Sequence, residues 1–229
     1  ILSFCMLLTM APTVAFAAED DEAAPQNNSV LEGSCGAEGD NVTWKLTQNN
    51  EGNENPTYTL TISGNGAMAD YAVGKAPWHM ALGANANRKQ INKIELPSGL
   101  TRIGDNAFLQ ANVTDVEIPN TVISIGTNAF WNCNTIQTTI PASVQELGAT
   151  AFYGTFVVNV DTNSPYFCSE EDGKILYNKD KTTLYQVSQD CTGEFTIPNT
   201  VTTINDFAMN GCANVTGKLV IPDSVQTIG

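Results

Sequence analysis

A unit of 22 residues recurs along the chain, and this repetition restricts the possible folds more than any other feature. Each copy carries a proline directly after Leu or Ile. At fixed distances there follow an apolar residue, a Leu or Ile before a Gly or Asn and, in the first four copies, an Ala paired with Phe or Met. The prolines are Pro97, Pro119, Pro141, Pro198 and Pro222. Because a unit this short cannot bury its apolar positions alone, the copies must stack. The sequence therefore predicts a solenoid.

Residues before each proline alternate between apolar and polar, which is typical of a strand with one buried face. In one copy, for example, Val116 and Ile118 flank Glu117. We therefore expect one short parallel strand per repeat, ended by the proline. The Gly or Asn that follows predicts a turn with unusual backbone angles, and a short helical turn is expected after it. The residues expected to cap that helical turn are Asp105, Thr127 and Asp206. The predicted fold class is a mainly β solenoid with short helical turns.

Two further segments have β character. Residues 33–90 contain alternating apolar residues on both sides of a Gly/Asn-rich tract, which predicts a β-rich N-terminal cap. The repeats are assigned to residues 91–229. Between Pro141 and Pro198 the spacing exceeds the standard one by 35 residues. This excess, about residues 161–190, contains two apolar runs on either side of a turn-like polar segment and predicts an inserted β-hairpin that projects from the solenoid.

The first residues predict export from the cell. Residues 1–17 form an apolar run that ends in Ala15-Phe16-Ala17, which is typical of a signal peptide cleaved after Ala17. The chain begins with Ile, so we expect this signal peptide to be incomplete; we also expect the repeats to be truncated at Gly229. Residues 18–32 are acidic and lack aromatics, which predicts a disordered linker. No membrane insertion is expected once the signal is removed.

The repeat unit resembles that of a known family. Residues 118–133 read IP-x-x-V-x-x-IG-x-x-AF-x-x-C, which is similar to the BspA-type leucine-rich repeat of bacterial and protist surface proteins. Residues 59–78 are similar to the β-rich cap that often precedes such repeats, and residues 164–184 resemble a hairpin that recurs within them. Asn205 and Met209 depart from the family pattern, which has Gly and Phe there. The resemblance implies a leucine-rich-repeat solenoid at the cell surface or secreted from the cell.

The resemblance also implies a function. Several proteins of this family act as adhesins towards host matrix proteins or neighbouring bacteria, and their repeats carry no catalytic residues. We therefore expect a binding or adhesion module whose partners are extracellular proteins or glycans. The alternative is a non-catalytic accessory or spacer region of a larger secreted enzyme.

Charge and residue types exclude several other functions. The chain has 10 Lys and Arg against 24 Asp and Glu, and a net charge of -14 makes nucleic acid an unsuitable partner. His79 is the only histidine, so a Ser-His-Asp or Cys-His relay cannot be built, and we expect no enzyme. The Gly64-x-Gly66 motif lacks the helix that a dinucleotide site requires. The acidic run 170–172 lacks the ligand spacing of an EF-hand. We expect neither a cofactor nor a metal ion.

The cysteines fall into two groups. Cys133 and Cys212 occupy the same position of two repeats, where they are expected to be small buried apolar residues. Cys168 and Cys191 flank the inserted segment, and a disulfide between them would close its base.

The outward positions of the strands are the candidate ligand-binding residues. They lie between inward apolar positions and face solvent along the stacked repeats. The candidates are Asn92, Asp115, Glu117, Gln137 and Thr139.

Overall fold

The computed structural model describes residues 31–82, 90–133, 136–155 and 157–229. The expected signal peptide and the expected acidic linker as far as residue 30 lie outside the described residues. The described residues form one α-helix, α1, and short strands that are numbered in chain order. These elements are β1 (Leu31–Gly36), β2 (Gly39–Gln48), β3 (Tyr58–Ala67), α1 (Pro77–Ala81), β4 (Ile91–Glu95), β5 (Gly99–Ile103), β6 (Ser124–Ile125), β7 (Gln137–Ile140), β8 (Glu146–Leu147), β9 (Val157–Val160), β10 (Phe167–Glu170), β11 (Ile175–Asn178), β12 (Thr183–Val187), β13 (Gly193–Glu194), β14 (Thr203–Ile204), β15 (Val215–Thr216) and β16 (Thr227–Ile228).

The N-terminal cap is an antiparallel sheet, β1-β2-β3, that continues into the repeats. Strand β3 is long enough to pair in parallel with both β4 and β5. It runs through Gly64 and Gly66, the glycines of the motif considered above. Their φ angles of 104° and 108° let β3 approach Asn41, whose backbone or side chain would meet a Cβ at either position. Strand β1 begins at Leu31, so the cap starts inside the segment expected to be a linker.

A column of aromatic rings runs from the cap through three repeats. Trp78 in α1 is fully buried, and its Nε1 donates a hydrogen bond to the carbonyl of Ala107 at 2.9 Å. The ring centroids of Trp78 and Phe108 are 5.8 Å apart, and the next steps, to Phe130 and Phe152, are 5.3 and 5.2 Å. Ring pairs at such distances stabilise a core beyond the burial of their area. The cap therefore closes one end of the core with an aromatic ring of its own.

Regular repeats contribute strands to two parallel ladders. The sequence predicted only one strand per repeat and therefore only one ladder. The first ladder lies before the proline, where β7 pairs with β9 and Asp115 forms a bridge with Gln137. The second lies after the proline and joins β5, β6 and β8. Ile103 and Ile125, which end β5 and β6, are buried there. The predicted fold class is confirmed, because the structure is mainly β and is built from stacked parallel strands.

The segments after the second ladder are hydrogen-bonded turns and not the short helices expected. Asn106 and Asn128 both have a φ of 56°, a left-handed conformation that interrupts a helix. Asn128 Nδ2 donates to Asn106 Oδ1 at 3.1 Å, which links successive turns. Asp105 caps no helix. Its Oδ1 accepts a hydrogen bond from the backbone N–H of Thr127 at 2.9 Å and so ties one repeat to the next.

The glycines just before these turns also differ from expectation. Gly104, Gly126 and Gly148 are not among the residues with positive φ, so the unusual backbone angles predicted for them are wrong. A Cβ at Gly126 would lie 2.6 Å from the backbone N of Asp105 and 2.8 Å from the carbonyl carbon of Gly104. Successive turns therefore approach too closely for any side chain.

The inserted segment forms a three-stranded antiparallel sheet, β10-β11-β12, which we call the meander. The expected projection from the body is wrong, because β12 pairs in parallel with β14 and takes the place of a repeat strand. Leu176 of β11 packs into the core that begins at the cap, whereas Ile175 and Tyr177 pack into a second core towards residue 229. Since alternate residues of a strand face opposite sides, the meander separates two hydrophobic cores.

Candidate ligand-binding groove

The outward residues of the first ladder line a groove on the surface of the solenoid. In β7, Gln137 and Thr139 are exposed, whereas Thr138 and Ile140 are buried. The same alternation places Asp115 and Glu117 outward, on either side of the buried Val116. The period of two in a strand, together with the stacking of repeats, therefore sets polar side chains in rows across the surface.

Two adjoining depressions make up the groove. The first, of about 1250 Å³, extends from Asn49 in the cap to the second repeat, and the second, of about 520 Å³, continues to Asp161. Both are lined by Asp115, Glu117 and Asn120. The five candidate residues from the sequence all lie in this groove: Asn92, Asp115, Glu117, Gln137 and Thr139. Their role in binding stays a prediction.

The groove carries mostly negative charge. Among the described residues, its acidic side chains are Glu95, Asp115, Glu117 and Asp161, and its basic side chain is Lys93. Lys93 Nζ lies 2.7 Å from Glu95 Oε1, and the hydroxyl of Thr61 donates to Glu95 Oε2 at 2.9 Å. These two hydrogen bonds lower the pKa of Glu95, and the bond from Lys93 has the larger effect. The groove therefore offers carboxylates and amides at neutral pH.

The cap completes one end of the groove. Asn49 Nδ2 donates to Asn92 Oδ1 at 2.9 Å, and Asn49 Oδ1 accepts a hydrogen bond from the Thr59 hydroxyl at 2.9 Å. This pair of bonds fixes the orientation of the Asn92 side chain. Sequence reasoning missed Asn49 because the residue lies in a polar tract 43 positions before its partner.

Two other groove residues were also missed. Asn159 lies on β9 between Val158 and Val160, so the alternation used for the other strands could have found it. Asn120 directly follows Pro119, outside the alternating segment. Its position after a proline is typical of a turn, which gives no sign of a binding role.

The described residues contain no group of three or more His, Cys, Asp or Glu side chains that could hold a metal ion. His79 is buried in α1, with 5% of its surface exposed, and does not line the groove. Glu170, in the acidic run 170–172, is paired with Lys181.

The described cysteines are free thiols. Cys133 is fully buried as expected, its Sγ donates to the carbonyl of Phe108 at 3.1 Å, and burial raises its pKa to about 12. Cys212 makes the equivalent contact with Val187 at 3.3 Å but is only half-buried. The structure contains no bond between Cys168 and Cys191, and Cys168 Sγ lies 3.5 Å from the carbonyl of Asn178. The disulfide stays a prediction for oxidising conditions.

No curated protein matches the chain. A leucine-rich cell surface protein from Faecalibacterium prausnitzii shares 17% identity over 81% of this chain and 70% of its own, with a TM-score of 0.52, which shows a common fold. Weaker structural similarity extends to two others. A leucine-rich-repeat protein from Eubacterium ventriosum has 24% identity and a TM-score of 0.47. The pneumococcal vaccine antigen PcpA has 17% identity and a TM-score of 0.49. These matches cover 87% and 88% of this chain, which spans 62% and 66% of those two proteins.

In the part of the chain that the structure describes, no helix has the length and apolar character needed to cross a membrane.

The sequence itself gives the clearest relationship. The profile of the BspA type leucine-rich-repeat region matches six copies, over residues 83–171 and 182–229, which together exceed half of the chain. With the stacked parallel strands, these copies show that the protein belongs to the BspA-type leucine-rich-repeat family.

Proposed function

We propose that the chain is a non-catalytic binding module of a secreted or cell-surface protein and that its partner occupies the groove. The observation that carries this proposal is the row of exposed carboxylates and amides that runs from Asn92 to Asn159 and ends at the half-buried Asp161, which several repeats and the cap build together. A surface shared by stacked repeats is rigid, because the buried columns below it fix each strand. Rigid polar surfaces lose little conformational entropy on binding.

The charge of the groove favours an extracellular protein over a neutral glycan as its partner. In the part of the chain that the structure describes, the groove has four carboxylates and one ammonium group, and the whole chain carries a charge of -14. Such a surface attracts a segment rich in Lys and Arg and speeds its association at low ionic strength. A basic segment of a host matrix protein or of a neighbouring bacterium fits this description.

Binding to immobilised fibronectin, fibrinogen and intact bacterial cells tests the proposal. We expect saturable binding of the unchanged chain to one of these at physiological salt, weakening as salt increases because exposed charges are screened. The double variant D115N/E117Q removes two groove charges and keeps the side-chain shapes. It is expected to bind about tenfold more weakly, because the groove loses two charges that attract a basic partner. A tenfold change in affinity corresponds to about 1.4 kcal/mol of binding free energy.

The matched control is the double variant E146Q/E194Q, which removes two exposed charges outside the groove. It should bind as the unchanged chain does. If D115N/E117Q and the control bind alike, the groove is not the site. If the unchanged chain binds none of the three surfaces, the spacer function becomes the better explanation.

A further inference from the structure

A cluster of three aromatic side chains lies on the turns of the solenoid, away from the groove. We call Trp131, Tyr153 and Phe207 the aromatic cluster. The ring centroids of Trp131 and Tyr153 are 4.3 Å apart, and Phe207 lies 5.7 and 5.5 Å from them. Phe207 stands at 76° and 64° to the other two rings, and 51% of its surface is exposed. Large aromatic groups in contact at a surface are characteristic of interaction sites.

The repeat pattern explains how two of these rings come together. Trp131 and Tyr153 directly follow the buried Phe130 and Phe152, and both are only half-buried. The hydroxyl of Tyr153 donates to Asn210 Oδ1 at 2.9 Å, and Asn210 occupies the equivalent position in the repeat after the meander. The meander is inserted between these residues in the sequence, yet their side chains remain neighbours. The cluster therefore depends on the meander being integrated into the stack.

Phe207 is the residue that the repeat pattern does not explain. It occupies the position of Asn106 and Asn128 and shares their left-handed backbone, with a φ of 57°. Asparagine adopts this conformation readily, whereas it is strained for an aromatic residue. The side chain belongs to neither hydrophobic core. The contacts that this strained backbone provides are those of the ring with Trp131 and Tyr153 at the surface.

The chemistry of the aromatic cluster differs from that of the groove. Its three residues and Asn210 carry no charge, whereas the groove carries four carboxylates. A neutral sugar ring has C–H groups on one face, which stack on aromatic rings, and hydroxyls at its edge, which bond to amide and phenol groups. Aromatic side chains also bind nucleic-acid bases by stacking on their faces.

We propose that the aromatic cluster is a carbohydrate-binding site for neutral hexose units of an extracellular polysaccharide. Sugar rings stack on the exposed aromatic faces, Phe207 limits the site on one side, and the amide of Asn210 bonds to sugar hydroxyls. This site is independent of the groove, because the two share no residue.

Titration of the full chain with neutral oligosaccharides tests this site. The probes are the hexamers of glucose in β-1,4 and α-1,4 linkage and of N-acetylglucosamine, and calorimetry measures binding. We expect one of them to bind and the variant Phe207→Asn to reduce its affinity by at least about tenfold. Because asparagine is the residue found at 106 and 128, Phe207→Asn should fold with equal or greater stability.

Two further variants make the test specific. Tyr166→Ala removes another exposed aromatic side chain, outside the cluster, and should leave binding unchanged. The groove variant D115N/E117Q should also leave it unchanged, which separates this site from the proposed protein-binding function. Failure of all three hexamers to bind the full chain would overturn the proposal. Equal affinity of a folded Phe207→Asn variant would overturn it as well.

Discussion

The repeats before the meander, residues 91–155, and those after it, residues 191–229, follow one pattern but stack on the preceding element differently. In both regions the same backbone hydrogen bond crosses the junction between a repeat and the strand that precedes it in the stack. The N–H of Gly126 donates to the carbonyl of Ile103 at 2.9 Å, and the N–H of Asn205 donates to that of Leu184 at 3.0 Å. Only the side chain at the donor position differs. This difference shows that the residue type allowed at the donor position depends on the element that precedes it in the stack.

The reason is the course of the chain after the residue that accepts this bond. Strand β5 ends at Ile103, and the chain turns at once, so that the backbone of Gly104 and Asp105 faces Gly126. Strand β12 instead continues past Leu184 to Val187. The backbone that would exclude a side chain is therefore displaced along the strand. An asparagine fits at 205 because a strand, and not a turn, precedes it in the stack.

The two regions also differ in how they are packed. Phe130 is fully buried between Phe108 and Phe152, whereas Met209, in the same position after the meander, is only half-buried at the edge of the second core. The apolar positions of a repeat are therefore buried only where another element covers them.

Replacing the central ring of the column gives the largest expected difference between the regions. Phe130→Ala should lower the free energy of unfolding by about 3–5 kcal/mol, because it removes a buried ring and leaves a cavity between two others. Met209→Ala is the matched variant. It should cost less than about 2 kcal/mol, since a half-buried side chain leaves a smaller cavity. Urea unfolding followed by circular dichroism measures both values, and equal losses would contradict the contrast.

Exchanging the residues of the two junctions gives the next effect. Gly126→Asn should destabilise the chain by about 1–3 kcal/mol or prevent folding, because the new Cβ forces the backbones of two turns apart. Asn205→Gly should cost no more than about 1 kcal/mol, the usual penalty for added backbone freedom. Thermal and urea unfolding of both variants provide the comparison. A Gly126→Asn variant as stable as the unchanged chain would show that the turns can separate freely.

Repetition made much of this fold predictable and also limited the prediction. The buried column of Phe108, Phe130 and Phe152 follows from the period of the sequence, and so does the placement of the five groove candidates on one surface. The second ladder escaped prediction, because a strand of two residues such as Ser124–Ile125 is too short to show alternation. The meander strand containing Leu184 resembled a local hairpin, and its pairing with β14 is a contact between distant segments that no local pattern specifies.

The groove and the aromatic cluster were predictable to different degrees. Asp115 and Glu117 could be placed because a strand alternates, whereas the contribution of Asn49 depends on how the cap docks. The aromatic cluster was not predicted at all. Phe207 occupies a position that is asparagine in two other repeats, so the sequence identified it only as a departure, and its neighbours Trp131 and Tyr153 lie more than 50 residues earlier in the chain. Departures from a repeat are therefore the positions where such a sequence carries information beyond its own stacking.

The smallest expected effect concerns a feature that both regions share. The hydroxyl of Thr121 donates to the carbonyls of Leu100 and Ser98, at 2.7 and 2.9 Å, and that of Thr200 donates to the carbonyl of Lys181 at 2.8 Å. Both threonines follow the proline of their repeat by two positions, and both are exposed.

Thr121→Val and Thr200→Val should each lower the free energy of unfolding by about 0.5–1 kcal/mol, the net value of one such hydrogen bond near solvent. Valine keeps the branched shape of threonine, so packing changes little. Similar losses in urea unfolding would show that the meander reproduces the ordinary junction at the start of the repeat and alters it only at the glycine position. A loss at Thr121 without one at Thr200 would show that β12 holds the following repeat through its strand bonds alone, and the two regions would then differ along their whole junction.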